Sequence, residues 1–125
     1  VNADGEKYIA YCFSEIVGYS KITSYTGNGS ATKGTYVNLG FRPAFLFMKK
    51  PAGSAWTIID SKQNPTNLST TTRLRADDPA VTDTAIHLDI LSNGFKMYDT
   101  DLNADGALHI VYAIAETPFK FANAR

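Results

Sequence analysis

The chain has 125 residues, and its twelve Lys and Arg balance twelve Asp and Glu, so the formal net charge is zero. A neutral chain lacks the cationic surplus that phosphate contacts need, which argues against nucleic acid as a partner. No apolar run approaches the ~20 residues of a helical membrane span, so no membrane partner is expected either. The length suits one domain with its own core. Charged residues make up 19%, below the ~25% of an ordinary domain, as expected of a β protein with polar, weakly charged surfaces.

One stretch is written twice. Tyr8-Ile9-Ala10-Tyr11-Cys12-Phe13-Ser14-Glu15 returns as His109-Ile110-Val111-Tyr112-Ala113-Ile114-Ala115-Glu116, and Asn-Ala-Asp-Gly precedes both copies, at Asn2–Gly5 and Asn103–Gly106. In each copy large side chains (Ile9, Tyr11, Phe13; Ile110, Tyr112, Ile114) alternate with small ones, the period of an extended strand. A strand that is apolar on both faces predicts a central, doubly covered position for both copies. The repetition suggests one unit of a tandem series, beginning in the last strand of one unit and ending with that of the next. Cys12 rules out an internal disulfide, since it has no second cysteine to pair with. Its place on the small face predicts a buried, inert thiol.

After Gly18, residues 19–26 alternate as a strand, and Gly27-Asn28-Gly29-Ser30 is a turn. Short strands follow at Thr35–Leu39, Ala44–Lys50 and Trp56–Asp60, broken by Gly40, Arg42-Pro43 and Pro51–Ser54. The stretch Ser61–Thr72 is the longest loop, and its length makes it a candidate for outside contacts. Arg73–Arg75 reads as a brief edge strand. Ile86–Leu91 alternates and joins Phe95–Tyr98 through an Asn93-Gly94 hairpin turn. Asp101–Gly106 reads as a second hairpin turn into the repeated strand, and residues 118–125 as a C-terminal tail or linker. No window holds a 3.6-residue apolar period. The expectation is an all-β single domain over residues 1–125. It should be a β-sandwich, jelly-roll or concanavalin/lectin-like, with about eight short antiparallel strands and little or no helix.

Chemistry-bearing constellations are sparse. Asp101-x-Asn103-x-Asp105-Gly106 matches the first half of a calcium loop, in which alternate oxygens converge on a hard cation. The twelfth position is Tyr112 instead of the bidentate glutamate, so a self-capping turn competes with a calcium site. His87 and His109 sit inside strands without the further ligands that zinc requires. Asp60, Asp83, Asp89 and Glu15 offer carboxylates, but no spacing marks a facing pair for glycoside hydrolysis. No enzyme is expected. Trp56 and Tyr25, with Asn64 and Asn67 from the long loop, are candidates for a glycan-binding surface, although such aromatics also complete cores.

Several motifs in one order carry a resemblance: Tyr8–Phe13, Gly18–Lys21, Ser24–Ser30, Gly40–Phe45, Asp89–Lys96, Glu116–Lys120 and Ala122–Arg125. Together they resemble a domain of tailed-bacteriophage virion proteins. The resemblance implies a non-enzymatic structural module of a tail fibre, receptor-binding or capsid-decoration protein. It implies location in the virion, assembly with other virion subunits and homo-oligomerisation. It supplies no catalytic residues, and the charged stretch Asp99–Gly106 departs from the family pattern. Recognition of a host-surface glycan is the alternative reading.

Overall fold

A computed structural model describes residues 4–50, 53, 55–79 and 82–118, with the backbone alone at Ala85. The proposed tail from 119 onward lies outside the described residues. Nine strands form, and no helix occurs among the described residues: β1 Ser20–Thr26, β2 Thr35–Asn38, β3 Pro43–Lys49, β4 Thr57–Asp60, β5 Thr71–Arg75, β6 Asp83–Ile86, β7 Leu88–Leu91, β8 Gly94–Met97 and β9 Leu108–Ala115. They make two antiparallel sheets, a six-stranded one ordered β1-β9-β3-β4-β5-β6 and a three-stranded one ordered β2-β8-β7. The expected β-sandwich is what the chain builds.

Alternation explains which face is closed. On the six-stranded sheet Leu46, Met48, Ile59, Val111 and Ala113 point inward. They meet Val37, Leu88, Ile90, Phe95 and Met97 of the small sheet in one core cluster. The small side chains of β9 face this core, which lets the second sheet come close. The second copy of the repeat is thus a central strand between β1 and β3.

The first copy is not a strand. Residues 6–15 form an arm outside both sheets, without regular secondary structure, with Ile9 83% and Tyr11 80% exposed. Cys12 is exposed as well, so the expectations of a doubly covered strand and a buried thiol both fail here. The same pattern becomes a strand only where a partner strand pairs with it, and residues 6–15 join no ladder.

Three local readings shift. Ile86–Leu91 breaks at His87 into β6 and β7, one in each sheet. Residues 98–107 carry the chain from the small sheet to the large one and so do not close a hairpin. Arg73–Arg75 lies within β5, an interior strand paired with β4 and β6, and so is not an edge. The β7–β8 turn is Ser92-Asn93, and Gly94 already pairs with Leu91. That glycine serves a close approach, since a Cβ there would lie 2.0 Å from the Val37 carbonyl oxygen.

Among the buried polar side chains, His109 has the least support. His109 is fully buried on the inner face of β9 and stacks on Tyr25 at 4.9 Å between ring centroids. Neither ring nitrogen has a hydrogen-bond partner among the described residues. Burial, helped by the charge of Lys50 and opposed by Asp101 and Asp99, holds its pKa below the usual histidine value. The unfolded chain therefore binds a proton that the native state resists. Stability is complete above about pH 6.5 and falls as the pH drops below it. His109→Phe, which keeps a ring against Tyr25, should flatten that acid-side loss in urea titrations run across pH. Parallel curves for the two proteins would contradict this assignment.

Candidate functional site

The outward side of the six-stranded sheet is the surface with the clearest chemical character. Register places Ile22, Tyr112, Phe47, Ile58 and Leu74 side by side across β1, β9, β3, β4 and β5. Alternation puts Leu108, Ile110, Ile114 and Phe45 on the same face. The arm touches it where Phe13 stacks on Tyr112 with centroids 4.6 Å apart. Phe13, Phe45, Phe47, Ile58, Tyr112 and Ile114 line an open apolar hollow of about 370 Å³. Ile22, Ile110, Leu108 and Leu74 remain exposed around it. Soluble monomers seldom show so continuous an apolar patch unless it meets something.

Trp56 belongs to the rim of this face. Its ring stacks on Phe47 at 4.6 Å, Lys49 Nζ lies 5.4 Å from the ring centre, and its backbone N–H donates to Asp77 at 2.8 Å. Tyr25 is elsewhere. It points into the core at 7% exposure, and its hydroxyl donates to the Leu102 carbonyl. Burial, with Asp99 and Asp101 adding to it, raises the pKa of that hydroxyl.

The two loop asparagines are tied inward. Asn64 accepts from the Thr72 N–H at 2.7 Å and donates to the Thr72 and Asp60 carbonyls. Asn67 accepts from the Ile90 N–H at 2.9 Å and donates back to its carbonyl at 3.0 Å, capping the edge of β7 as a strand would. Trp56, Tyr25, Asn64 and Asn67 are thus not gathered into one surface. They act in the rim, the core and the loop.

Asp101, Asn103 and Asp105 likewise take separate roles. Asn103 is completely buried. Its Oδ1 accepts from the Asn28 N–H at 3.1 Å and the Thr35 hydroxyl at 2.6 Å. Its Nδ2 donates to Asn28 Oδ1 at 2.7 Å and the Ser30 carbonyl at 3.2 Å. Its carbonyl takes the Gly29 N–H at 2.7 Å. Asp101 and Asp105 are exposed, and Asp101 lies 4.0 Å from Lys50. The motif works as a brace that fastens the Gly27–Ser30 turn to the 98–107 crossing. Gly27 is pressed so close that a Cβ would sit 2.3 Å from the Ala104 oxygen. Asn28 and Asn103 both lie in Asn- and Gly-bearing turns, but nothing in their spacing announced that they would bond each other across 75 positions.

The carboxylates have partners of their own. Asp83 pairs with Arg73 at 2.8 Å and Arg75 at 2.9 Å. Asp89 receives the Tyr98 hydroxyl at 3.0 Å. Glu15 accepts the Ile22 N–H at 3.1 Å, and the Asp60 side chain accepts the Lys62 N–H at 2.6 Å. Among the described residues no group of three or more His, Cys, Asp and Glu is placed to hold a metal ion.

A family model described as a domain of unknown function, DUF7483, matches residues 1–118. The chain belongs to that family. The match takes in both the arm and β9, so the DUF7483 unit includes both copies of the repeated stretch. No curated protein and no solved structure matches the chain.

Because the Asn103 oxygen is already doubly occupied, Asn103→Ala removes the acceptor of both the Asn28 N–H and the Thr35 hydroxyl, and empties a buried side-chain site. The expected loss is about 2–4 kcal/mol in denaturant unfolding. Excess calcium and chelator should leave the wild-type Tm unchanged. A rise in Tm with calcium would instead assign a cation site, since a ligand held only by the native state must stabilise it.

Proposed function

We propose that this domain is a non-enzymatic assembly module, a structural part of a tailed-phage particle that joins other subunits through the outer face of its six-stranded sheet. The observation that carries the assembly reading is the five-strand apolar row from Ile22 to Leu74. Water-facing sheets usually alternate apolar-in and polar-out, and this one is apolar on both sides at its centre. A second protein layer satisfies such a face, as a sandwich core does. The virion setting is supported by the motif resemblance, and with it the placement in a fibre, receptor-binding or decoration protein. The glycan reading keeps Trp56, whose ring edge is open at the rim, but Tyr25, Asn64 and Asn67 are engaged internally.

The test uses particles made by a host that produces the full chain. Ile110→Glu places a charge on an exposed position of the face, so the isolated domain should keep its stability within about 1 kcal/mol. Incorporation into purified particles should fall at least tenfold against wild type, read by quantitative mass spectrometry. Wild-type chain absent from particles would overturn this reading. So would glycan-array binding that Trp56→Ala abolishes and Ile110→Glu spares.

A further inference from the structure

The arm and the free edge of β1 fit each other. Hydrogen bonds from Tyr19, Gly27 and their β9 partners run on odd positions of β1, so its even positions face away from β9. That outward edge is closed at Ser20, which exchanges backbone bonds with Ile16 at 2.9 and 3.1 Å, and at Ile22, whose N–H meets the Glu15 carboxylate. At Ser24 and Thr26, both exposed, nothing among the described residues pairs with it. The edge of β7 contrasts with it. Asn67 bonds Ile90, and the Thr71 hydroxyl bonds the Leu88 N–H and carbonyl, each at 3.0 Å. An open edge is a template for another strand.

The arm has the sequence of a strand that β1 already accepts. With the 101-residue offset, the β9 register transfers to Tyr11 opposite Ile22, Ile9 opposite Ser24 and Cys12 opposite Lys21. In that register Tyr11 and Ile9 join the outer face, and the apolar row gains a sixth member. The arm of the same chain cannot take this position. Its turn is locked at Ile16 opposite Ser20, and continuing that hairpin sets Ser14 opposite Ile22 and Tyr11 opposite Tyr25. The two registers differ by an odd number of residues, so the hairpin turns Tyr11 and Ile9 to the wrong side. A second chain carries no such restraint.

We propose that residues Lys7–Cys12 of one chain add as an antiparallel strand to Lys21–Thr26 of a second copy, displacing Glu15 from the Ile22 N–H. This is self-association by strand addition, with main-chain bonds giving affinity and Tyr11 and Ile9 giving register. It stands apart from the virion setting, and other subunits could dock on the outer face without it.

The experiment uses the single native cysteine of the full chain. Lys21→Cys creates a non-hydrogen-bonded pair with Cys12 across the interface, where Cβ atoms are closest and a disulfide fits. Mild oxidation should yield a covalent dimer in which peptide mapping finds Cys12 of one chain joined to position 21 of the other. Ser24→Cys, which faces Cys12 in the hairpin register, should not cross-link to it. In sedimentation velocity the wild type should rise from the 13.6 kDa monomer towards twice that mass with concentration. Tyr11→Pro should weaken the association at least tenfold without moving the Tm measured at dilutions where the wild type is monomeric, since Tyr11 lies outside the monomer's sheets. A wild type that stays monomeric at all concentrations overturns the proposal. So does a disulfide from Cys12 to position 21 within one chain, or from Cys12 to position 24 within one chain of the second variant. Failure of Cys12 to bond position 21 at all does the same.

Discussion

The structure depends on the unequal faces of β9. His109, Val111, Ala113 and Ala115 present a shallow side to the core, and all four are buried. Only a shallow side allows the three-stranded sheet to bring Phe95 and Met97, both fully buried, into the space above. The deep side, with Leu108, Ile110, Tyr112 and Ile114, then has to face outward. An apolar outer surface is therefore a consequence of how the core is packed. The neighbours match it: Ile22 and Phe47 flank Tyr112 in register.

Holding the two sheets in that relation falls to the connections, which are fastened by side chains. Asn103 binds the turn after β1 to the crossing before β9, and Gly106 and Ala107 exchange bonds with Gly27. At the other end Arg42 reaches Glu116 at 2.8 Å and the Ile90 carbonyl at 3.1 Å, joining β9's end to β7. Asn64 and Asn67 pull the long loop onto the body. A buried amide such as Asn103 costs free energy when left unmatched, so it pins a single arrangement of these loops. This explains why a chain rich in Asn and Thr forms a defined core with so few charges.

Strand positions were largely legible from alternation, because period two survives whichever face ends up buried. Thr35–Leu39, Ala44–Lys50 and Trp56–Asp60 correspond to β2, β3 and β4 within a residue or two. The break at His87 was not legible. Ile86, Leu88 and Ile90 keep one phase through it, and the change of sheet is decided by tertiary pairing of β6 with β5 and of β7 with β8. Asp101, Asn103 and Asp105 show the same limit. Their spacing suits a cation, yet the buried Asn103 oxygen is taken by Asn28 and Thr35, which lie far off in the chain. For the outer face the signal was present: large residues on one side of β9, and Phe45 and Phe47 on β3. Two apolar faces were visible in β9, and what they could not reveal was that one of them would be left without a second layer.

The twin stretches make the general point within one molecule. Tyr8–Glu15 and His109–Glu116 share their pattern, yet only the second is a strand, so intrinsic preference does not decide the outcome. What β9 has and the arm lacks is a pair of flanking strands, β1 and β3, that pair with it along its length. A strand in water without such partners is marginal, whatever its composition. The arm is held at Phe13, Ser14 and Glu15, and residues 6–12 are exposed outside both sheets. It therefore keeps the capacity to pair that β9 has already used. The nearest edge is denied to it by the parity of its own turn, so that capacity is directed away from its own sheet.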